Sequence, residues 1–335
     1  RYGKTLRPEQ KRELQEILSV QISEKAGNKR RTVYRRVGKL GQKFYYDLGG
    51  DAVEIDHHGW RLTTLNQQLF WFNRQVSSPQ IIPEPNGKLD HLFELINIKS
   101  GQDKLLLKVF LITSMIPEIP KPILVIHGPK GTGKTGLLRL LLKIIDPTEI
   151  IDSPVSKPDE FQIFSANRWA IGIDNVSKIS QKLSDDLCKL STGGSFVRRV
   201  LYTTEELTAS VVQNVVILNG IPNVAERPDL LDRSLLIELA PFESKNRKTE
   251  EHLHKETFNY LPGILGDIFS ILSSAIGLID GVKVDDFQRM ADFHRWSVAV
   301  GIAMGHTQDE VDAALKCNHQ KQIETGEKII VGQNK

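Results

Sequence analysis

The spacing of apolar residues changes several times along the chain, and each spacing predicts a different kind of element. Near the N-terminus Leu14, Ile17, Leu18 and Ile22 recur at helical intervals, which predicts an amphipathic helix over residues 8–24. Between residues 32 and 70 the spacing shortens to that of strands. Strands are predicted at residues 33–37, 43–48, 52–55 and 60–64, and a Pro- and Gly-rich linker follows at residues 77–88.

The middle of the chain alternates apolar, β-branched runs with helical segments, which predicts an α/β fold with a parallel sheet. Two short helices are predicted within residues 89–116. Strands are predicted at residues 122–127, 149–151, 169–173, 197–202, 211–218 and 235–239, with helices at 134–145, 158–166 and 180–190. From about residue 245 the pattern is helical, with helices predicted at 246–260, 262–279, 284–304 and 307–316 and a polar, partly disordered tail from residue 318.

These patterns divide the chain into segments of different composition. The predicted segments are a basic N-terminal helix and linker (1–30), a small β-rich module (31–85), the α/β core (86–244), a helical lid (245–320) and a polar tail (321–335). The sequence of 335 residues starts at Arg1 rather than at Met, so we expect a fragment of a longer protein.

Composition narrows the class of protein. Hydrophobic residues make up 40% of the chain and charged residues 25%, which is typical of a soluble globular protein. Cys188 and Cys317 form no C-x-x-C pattern, which argues against a zinc site or a disulfide framework and fits a reducing compartment. The best membrane-span candidate, residues 264–279, is short and contains Asp267, so no membrane partner is expected.

Positive charge is concentrated at the N-terminus. Residues 1–46 contain 13 Lys and Arg but only four Glu, a balance of +9, whereas the whole chain carries +3 and the remainder is therefore acidic. Such asymmetry indicates a polyanionic partner, most simply nucleic acid. A solvated linker with a charged helix is the alternative.

One stretch, Gly128-Pro-Lys-Gly-Thr-Gly-Lys-Thr135, matches the phosphate-binding pattern G-x-x-x-x-G-K-[ST] without departure and lies between a predicted strand and a predicted helix. Its glycines let backbone N–H groups surround phosphate oxygens, and the helix N-terminus adds positive charge. Lys134 is expected to reach the β- and γ-phosphates, and Thr135 to ligate Mg²⁺. We predict binding of ATP and Mg²⁺ by the residues Gly128, Pro129, Lys130, Gly131, Thr132, Gly133, Lys134, Thr135 and Gly136.

A second apolar strand ends at Asp174, followed by Asn175. An Asp at the carboxyl edge of the sheet can bind Mg²⁺ beside the phosphate loop, so Thr135 and Asp174 are the predicted metal ligands. Many ATPases carry Glu after this Asp to polarise the attacking water, whereas the amide of Asn175 can orient water but cannot accept its proton. The base is then Asp174, Asp185 or Asp186, or none is needed in a loose transition state.

A third apolar strand ends at Asn219, which we expect to contact the γ-phosphate or the attacking water, although Asn-Gly is also a common turn. Between the second and third strands, residues 197–212 are expected to form two strands joined by a polar turn near residues 203–208. Arg198 and Arg199 are adjacent on a strand and face opposite sides, so one of them could reach the phosphates of a nucleic acid. An exposed, charged hairpin without that role is the alternative.

Arg233 stands just before the last predicted strand of the core. An Arg at such a corner can supply charge to the γ-phosphate of a neighbouring subunit. The alternative is a structural salt bridge with Asp229 or Asp232.

The order of these motifs resembles AAA+ ATPases of the replicative helicase branch, and more closely the MCM-like helicases of phages, plasmids and chromosomal cassettes, often fused to primase–polymerase domains. The resemblance spans about residues 35–325. The matching stretches are Asp174-Asn-Val-Ser, Leu190-Ser-Thr-Gly-Gly-Ser-Phe, Leu201-Tyr-Thr, Ile217-Leu-Asn-Gly-Ile, Arg227-Pro-Asp-Leu-Leu-Asp-Arg-Ser and Arg289-Met-Ala-Asp-Phe.

The resemblance implies roles for single residues. Arg233 would be an arginine finger acting in trans, Asn219 would be sensor 1, and Arg289, or alternatively Arg295, would be sensor 2 on the lid helix. The hairpin at residues 197–212 would line a central pore and grip single-stranded DNA. A hexameric ring is implied, because a trans finger requires a neighbour.

The expected function is an ATP-dependent DNA helicase or translocase of mobile-element or phage replication. Its expected partners are single-stranded or forked DNA, other copies of the chain and a fused or associated primase–polymerase. Its expected place is the cytoplasm of a prokaryotic cell or phage-infected host. The alternatives are a non-helicase AAA+ ATPase, such as a loader, initiator or transposition regulator, and a P-loop kinase.

Overall fold

A computed structural model gives the fold of the chain. It describes residues 7, 9–10, 13–14, 17, 32–64, 69–71, 77–150, 153–176, 178–199, 207–220, 227–242, 250–285 and 289–333. The chain divides into two compact units, Arg1–Val33 and Tyr34–Lys335. In the first unit Glu9, Gln10, Glu13, Leu14 and Ile17 are helical, while the bounds of the predicted helix lie outside the described residues.

The second unit begins with short strands, as predicted. They are β1 (Val33–Tyr34), β2 (Val37–Leu40), β3 (Lys43–Asp47), β4 (Asp51–Asp56), β5 (Gly59–Thr64) and β6 (Phe70–Trp71). Strands β2 to β5 form an antiparallel sheet in sequence order. Alternation places Phe44, Tyr46, Val53 and Ile55 on its buried face. The predicted segment boundaries at residues 85 and 244 stay predictions, since residues from Tyr34 onward form one unit.

The α/β core contains a four-stranded parallel sheet, which confirms the predicted α/β fold class with a parallel sheet. Its strands are β7 (Ile123–His127), β8 (Ala170–Val176), β11 (Val215–Gly220) and β12 (Ser234–Glu238). Their spatial order is β12-β7-β11-β8. The strand before the phosphate loop, β7, therefore lies inside the sheet, and the carboxyl ends of β7, β8 and β11 meet at one edge.

Helices pack against this sheet and continue beyond it. They are α1 (Leu92–Leu95), α2 (Gly101–Thr113), α3 (Lys134–Ile145), α4 (Pro158–Ala166), α5 (Gln181–Thr192), α6 (Pro228–Leu231), α7 (Glu250–Leu278), α8 (Ala291–Ala303) and α9 (Gln308–Gln333). Ser180 caps α5 by accepting a hydrogen bond from Leu183 N. An antiparallel hairpin, β9 (Gly194–Arg199) and β10 (Leu207–Val212), precedes β11.

Side chains cover both outer edges of the parallel sheet. On β8, Asp146 accepts from Trp169 N and Ala170 N at 3.0 and 3.3 Å, and the Ser153 hydroxyl donates to Gly172 O at 2.7 Å. On β12, Asn318 donates to Leu236 O at 2.7 Å and accepts from Leu236 N at 3.1 Å. The backbone groups at these edges are thus paired without a further strand.

Two predictions about strands are wrong in detail. Of the strand expected at 149–151, Glu149 and Ile150 are not in a strand, and Ile150 N donates instead to Thr148 Oγ1 at 3.0 Å, while residue 151 lies outside the described residues. The strand expected at 211–218 is two strands, because Gln213 and Asn214 interrupt it. Asn214 donates to Ser165 O and Arg168 O at 3.0 and 2.6 Å, which separates the hairpin from the sheet.

The helical part of the chain differs from its prediction in two places, at Pro262 and in the C-terminal tail. The break expected before Pro262 is absent: α7 runs through Pro262, and the linker at residues 77–88 packs closely on it through Glu84. A Cβ at Gly266 would lie 1.8 Å from Glu84 O, so this approach requires glycine. The tail expected to be partly disordered is helical to Gln333, because Asn318, Lys321 and Gln322 bond to Leu236, Asp103 and Ser234.

Helix α7 belongs to the protein core. Among the described residues, 255–281 are long and apolar enough to cross a membrane by length and composition alone. In the structure the buried side chains of α7 pack with α2, α8 and the antiparallel sheet, and Asp267 accepts from Leu89 N at 2.6 Å. These contacts are those of a central core helix.

Candidate functional site

The phosphate loop has the backbone that its sequence requires. Gly128, Gly131 and Gly133 adopt φ angles of 147°, 79° and 83°, which side chains with a Cβ rarely tolerate. Gly133 is the N-cap of α3, and Leu137 N donates to Gly133 O at 2.9 Å. Thr132 is buried and its hydroxyl donates to Pro129 O at 3.0 Å, which closes the loop on itself.

Lys134 lies folded over the loop. Its ammonium donates to Gly128 O and Pro129 O, both at 2.9 Å. These are exchangeable contacts with neutral carbonyl groups, whereas a phosphate oxygen would offer the ammonium a charged acceptor. Burial lowers the pKa of His127, the last residue of β7 before the loop, while the negative charges of Glu238 and Asp103 act to raise that pKa.

The three polar residues predicted at strand or helix ends meet beside the loop. The Thr135 hydroxyl donates to Asp174 Oδ1 at 3.1 Å. Asn219 Nδ2 donates to the same oxygen at 2.5 Å and lies 3.4 Å from Thr135 Oγ1. The structure therefore brings Thr135, Asp174 and Asn219 into one cluster at the carboxyl edge of β7, β8 and β11.

A bulge in β8 sets the direction of Asn175. Leu218 pairs with Ile173 and Gly220 with Val176, so two residues of β8 face the single Asn219. Asn175 adopts φ 52° and is exposed, while Asp174 stays at the cluster. Of the other candidate bases, Asp186 is buried and accepts from Gln162 Nε2 at 3.4 Å, and Asp185 is exposed on α5.

The residues at the loop fit a nucleoside triphosphate and Mg²⁺. The glycines leave open space at the loop, since a Cβ at Gly131 or Gly136 would meet no atom within 4 Å. The Thr135 hydroxyl and the Asp174 carboxylate are hard oxygen donors of the type that Mg²⁺ prefers. The amide of Asn219 holds Asp174 in place beside them.

Arg233 lies at the opposite edge of the sheet. Its carbonyl accepts from Ile123 N at 2.8 Å, so Arg233 stands beside the first residue of β7. Five residue steps of extended chain lead from Ile123 to Gly128, a distance of about 17 Å. The structure thus keeps Arg233 apart from the phosphate loop of its own chain.

Two acidic residues hold Arg233 and Arg289 together. Arg233 Nη1 contacts Asp229 Oδ1 at 2.5 Å, and the hydrogen bond from Arg233 lowers the pKa of Asp229. Arg289 pairs with Asp232 and lies 3.3 Å from Asp229. Arg233 Nε is buried and has no hydrogen-bond acceptor within the described part of the chain.

Arg289 precedes α8 instead of lying on it, which corrects the predicted position on a lid helix. The alternative residue Arg295 donates to Ile279 O at 2.7 Å. From the sequence, Asp229 and Asp232 were possible partners of Arg233 alone. Their contact with Arg289 was missed because it joins residues about 60 positions apart along the chain.

The hairpin carries Arg198 and Arg199 next to its tip. Arg198 pairs with Thr208 and Arg199 with Leu207, and both are the last described residues of β9. Their side chains and the tip at residues 200–206 lie outside what the structure describes. On the opposite strand, β10, Val211 O accepts a hydrogen bond from Arg35 Nη2 at 2.7 Å. This contact ties the base of the hairpin to the segment between β1 and β2.

The comparisons with known proteins point to replication. The family model of the actinomycete integrative conjugative element replication protein matches residues 89–316. A search of the curated proteins finds no match.

Two solved structures are similar at low identity. The A-form apo structure of the NrS-1 C-terminal region has a TM-score of 0.46 and 12% identity, covering 90% of this chain and 84% of that one. A full-length MCM homologue from Methanopyrus kandleri has a TM-score of 0.44 and 11% identity, covering 87% and 76%.

The family model confirms the expected link to replication, whereas the helicase activity stays a prediction. Because that model matches more than half of the sequence, the chain belongs to the family of actinomycete integrative conjugative element replication proteins.

Proposed function

We propose that the chain is the ATP-dependent DNA helicase or translocase motor of mobile-element or phage replication. The observation that carries this proposal is the division of polar residues between two edges of one sheet. Thr135, Asp174 and Asn219 surround the phosphate loop at the carboxyl edge, while Arg233 lies at the amino edge. A site with its cationic residue on the far edge is completed by a second copy of the chain.

The ATP site would use the residues of the loop edge as follows. Lys134 moves from the carbonyls of Gly128 and Pro129 to the phosphates, and Thr135 and Asp174 hold Mg²⁺. The metal neutralises charge on the phosphate oxygens. Asn219 keeps Asp174 oriented, and the exposed amide of Asn175 is placed to orient water.

The neighbouring copy would contribute Arg233, with Arg289 beside it. The Arg233 side chain is 16% exposed and that of Arg289 is 43% exposed, so their guanidinium groups lie at the surface where a neighbouring copy could dock. The ion pair of Arg233 with Asp229 also fits the structural alternative, so only measurement distinguishes the two roles. A head-to-tail contact of this kind closes into a ring, and we propose a hexamer in the cytoplasm of a prokaryotic cell or phage-infected host.

DNA would be held by the β9–β10 hairpin. Arg198 and Arg199 stand next to the hairpin tip, where charge can reach the phosphates of single-stranded or forked DNA. The contact would be independent of sequence and weakened by salt. A primase–polymerase, fused or associated, is the proposed source of the remaining replication activity.

ATP hydrolysis and fork unwinding, each measured with and without single-stranded DNA, test this function. We expect DNA-stimulated hydrolysis and strand separation in the parent, and a loss of about 100-fold or more in kcat for Lys134→Ala. Stimulated hydrolysis without strand separation would instead indicate a loader, initiator or regulator. Transfer of phosphate to a small acceptor in place of water would indicate a kinase.

The hairpin is tested by the double variant Arg198→Ala/Arg199→Ala. We expect weaker binding of single-stranded DNA for every sequence and a salt dependence shallower by about one ion per lost contact. Arg61→Ala, which removes a side chain 71% exposed on the antiparallel sheet, is the matched control and should bind normally. Unchanged DNA binding in the hairpin variant would contradict the proposed grip.

A further inference from the structure

The segment that follows β12 runs along the phosphate loop. Leu239 N donates to His127 O at 2.9 Å, and a Cβ at Gly128 would lie 2.5 Å from Leu239 O. Three residues later, the half-buried ring of Phe242 lies 3.6 Å from the position of a Cβ at Gly133. An aromatic ring therefore borders the first turn of α3.

Two hydrogen bonds with Asn97 hold the backbone of this segment just before Phe242. Ala240 N donates to Asn97 O at 2.9 Å, and Asn97 Nδ2 donates to Pro241 O at 2.7 Å. Leu239 is 1% exposed and fills the core. Since these contacts do not involve the loop, the ring is positioned before any ligand binds.

The position of the polar cluster indicates where the rest of a nucleotide would go. Asp174 and Asn219 are on β8 and β11, on one side of β7, and Phe242 follows β12 on the other side. A terminal phosphate bound by Lys134 and this cluster would leave the nucleoside to extend over Gly133 and the start of α3, towards the side where Phe242 lies.

We propose that Phe242 is the stacking platform for the base of the bound nucleotide and favours a purine. The proposal rests on the proposed function, because it requires a nucleoside triphosphate in the loop. The exposed face of an aromatic ring stacks on any base, and a purine offers the larger surface. Phe242 is a positioning residue and takes no part in phosphoryl transfer.

Binding of three ligands to the whole chain with Mg²⁺, measured by calorimetry, separates base contact from phosphate contact. The ligands are ATP, CTP and inorganic tripolyphosphate. For Phe242→Ala we expect the Kd of ATP to rise about tenfold, the preference for ATP over CTP to fall, and the Kd of tripolyphosphate to stay unchanged. Phe242→Tyr should retain the parent affinities, and the KM for ATP should rise in Phe242→Ala with kcat nearly unchanged.

Two further variants keep the test decisive. Phe242→Leu preserves apolar volume and should lose ATP affinity as Phe242→Ala does, while its binding of tripolyphosphate reports an intact loop. Phe258→Ala removes a ring 57% exposed on α7 and should bind all three ligands like the parent.

An unchanged Kd of ATP in Phe242→Ala, or equal losses for ATP and tripolyphosphate, would overturn the platform. If the parent bound neither ATP nor tripolyphosphate, the proposed function would be wrong, and so would the proposed role of Phe242. Lys134→Ala should weaken both ligands, unlike any Phe242 variant.

Discussion

Lys121 is a charged residue in the protein core. It is 1% exposed, its ammonium donates to Ile119 O at 3.0 Å, and it lies 4.8 Å from the centre of the Trp169 ring. Burial lowers the pKa of Lys121 to about 7. The residue stands just before β7, the strand that leads into the phosphate loop.

The pH dependence of stability follows from this lowered pKa. Between pH 7 and the ordinary range of lysine, the unfolded chain holds a proton on Lys121 that the folded chain lacks. The free energy of unfolding therefore rises with pH across this window, by up to about 1.4 kcal/mol per pH unit. The measurement is the free energy of unfolding of the parent and of Lys121→Met, from urea denaturation at pH 7, 8 and 9. The value of the parent minus that of the variant should rise with pH by this slope.

Lys182→Met provides the control for that experiment, because Lys182 is exposed on α5. Its difference from the parent should stay flat over the same pH range. A flat difference for Lys121→Met as well would mean that the buried lysine keeps its proton when folded.

Residues of the site were predictable where a local pattern placed them. Asp174 and Asn219 end apolar strands and Thr135 begins a helix, so the sheet alone brings them to one edge. Phe242 and the bridging role of Asp229 could not be predicted, since their neighbours come from distant parts of the chain.

Among the elements, a buried ion pair joins the segment before β2 to the end of α3. Arg36 Nε contacts Asp146 Oδ1 at 2.8 Å, and both side chains are 0% exposed. Asp146 ends α3 and also accepts from Trp169 N before β8, while Arg36 donates to Asp47 O and Ser78 O. One arginine from the N-terminal strands thus fixes the end of the phosphate-loop helix.

Removing Arg36 should destabilise the fold strongly. Arg36→Ala removes the closest cation of the buried Asp146 carboxylate and leaves Arg168 Nε, 3.7 Å from that carboxylate, so the cost should reach at most about 3–5 kcal/mol. Arg61→Ala breaks an exposed pair with Glu54 and should cost no more than about 1 kcal/mol. Urea denaturation of the two variants measures this contrast, and equal losses would mean that Arg36 and Asp146 add nothing beyond a surface pair.

Elements were predictable when their signals were local. Helix α4 begins and ends as expected because Pro158 occupies its first turn and the apolar spacing stops at Ala166. Helix α7 passes through Pro262 because the linker at residues 77–88 packs on it, with Glu84 N donating to Pro262 O at 2.9 Å. Such long-range contacts override a local helix-breaking signal.

At the scale of the whole molecule, a site divided between opposite edges predicts catalysis shared by two copies. Lys134→Ala removes the loop lysine and Arg233→Ala removes the finger, and each alone should lower ATP hydrolysis about 100-fold. In an equimolar mixture, random assembly places an intact loop against an intact Arg233 at about a quarter of the interfaces. ATPase activity of the mixture should therefore recover to roughly a quarter of the parent value.

A second mixture is the control. Lys134→Ala combined with the double variant Lys134→Ala/Arg233→Ala has no intact loop and should recover nothing. If the first mixture also showed no recovery, or if Arg233→Ala alone left hydrolysis unchanged, Arg233 would be a structural partner of Asp229 and no trans finger.

The covered edges of the parallel sheet have a consequence for assembly. Asp146 and Ser153 occupy the outer side of β8, and Asn318 occupies that of β12, so no further strand can add to these paired groups. In the proposed ring, copies of the chain would then meet at these edges through side chains, without extending the parallel sheet from one subunit to the next. Such contacts could tighten and loosen with each nucleotide while every subunit keeps its own fold, and the same covering disfavours edge-to-edge aggregation at these positions.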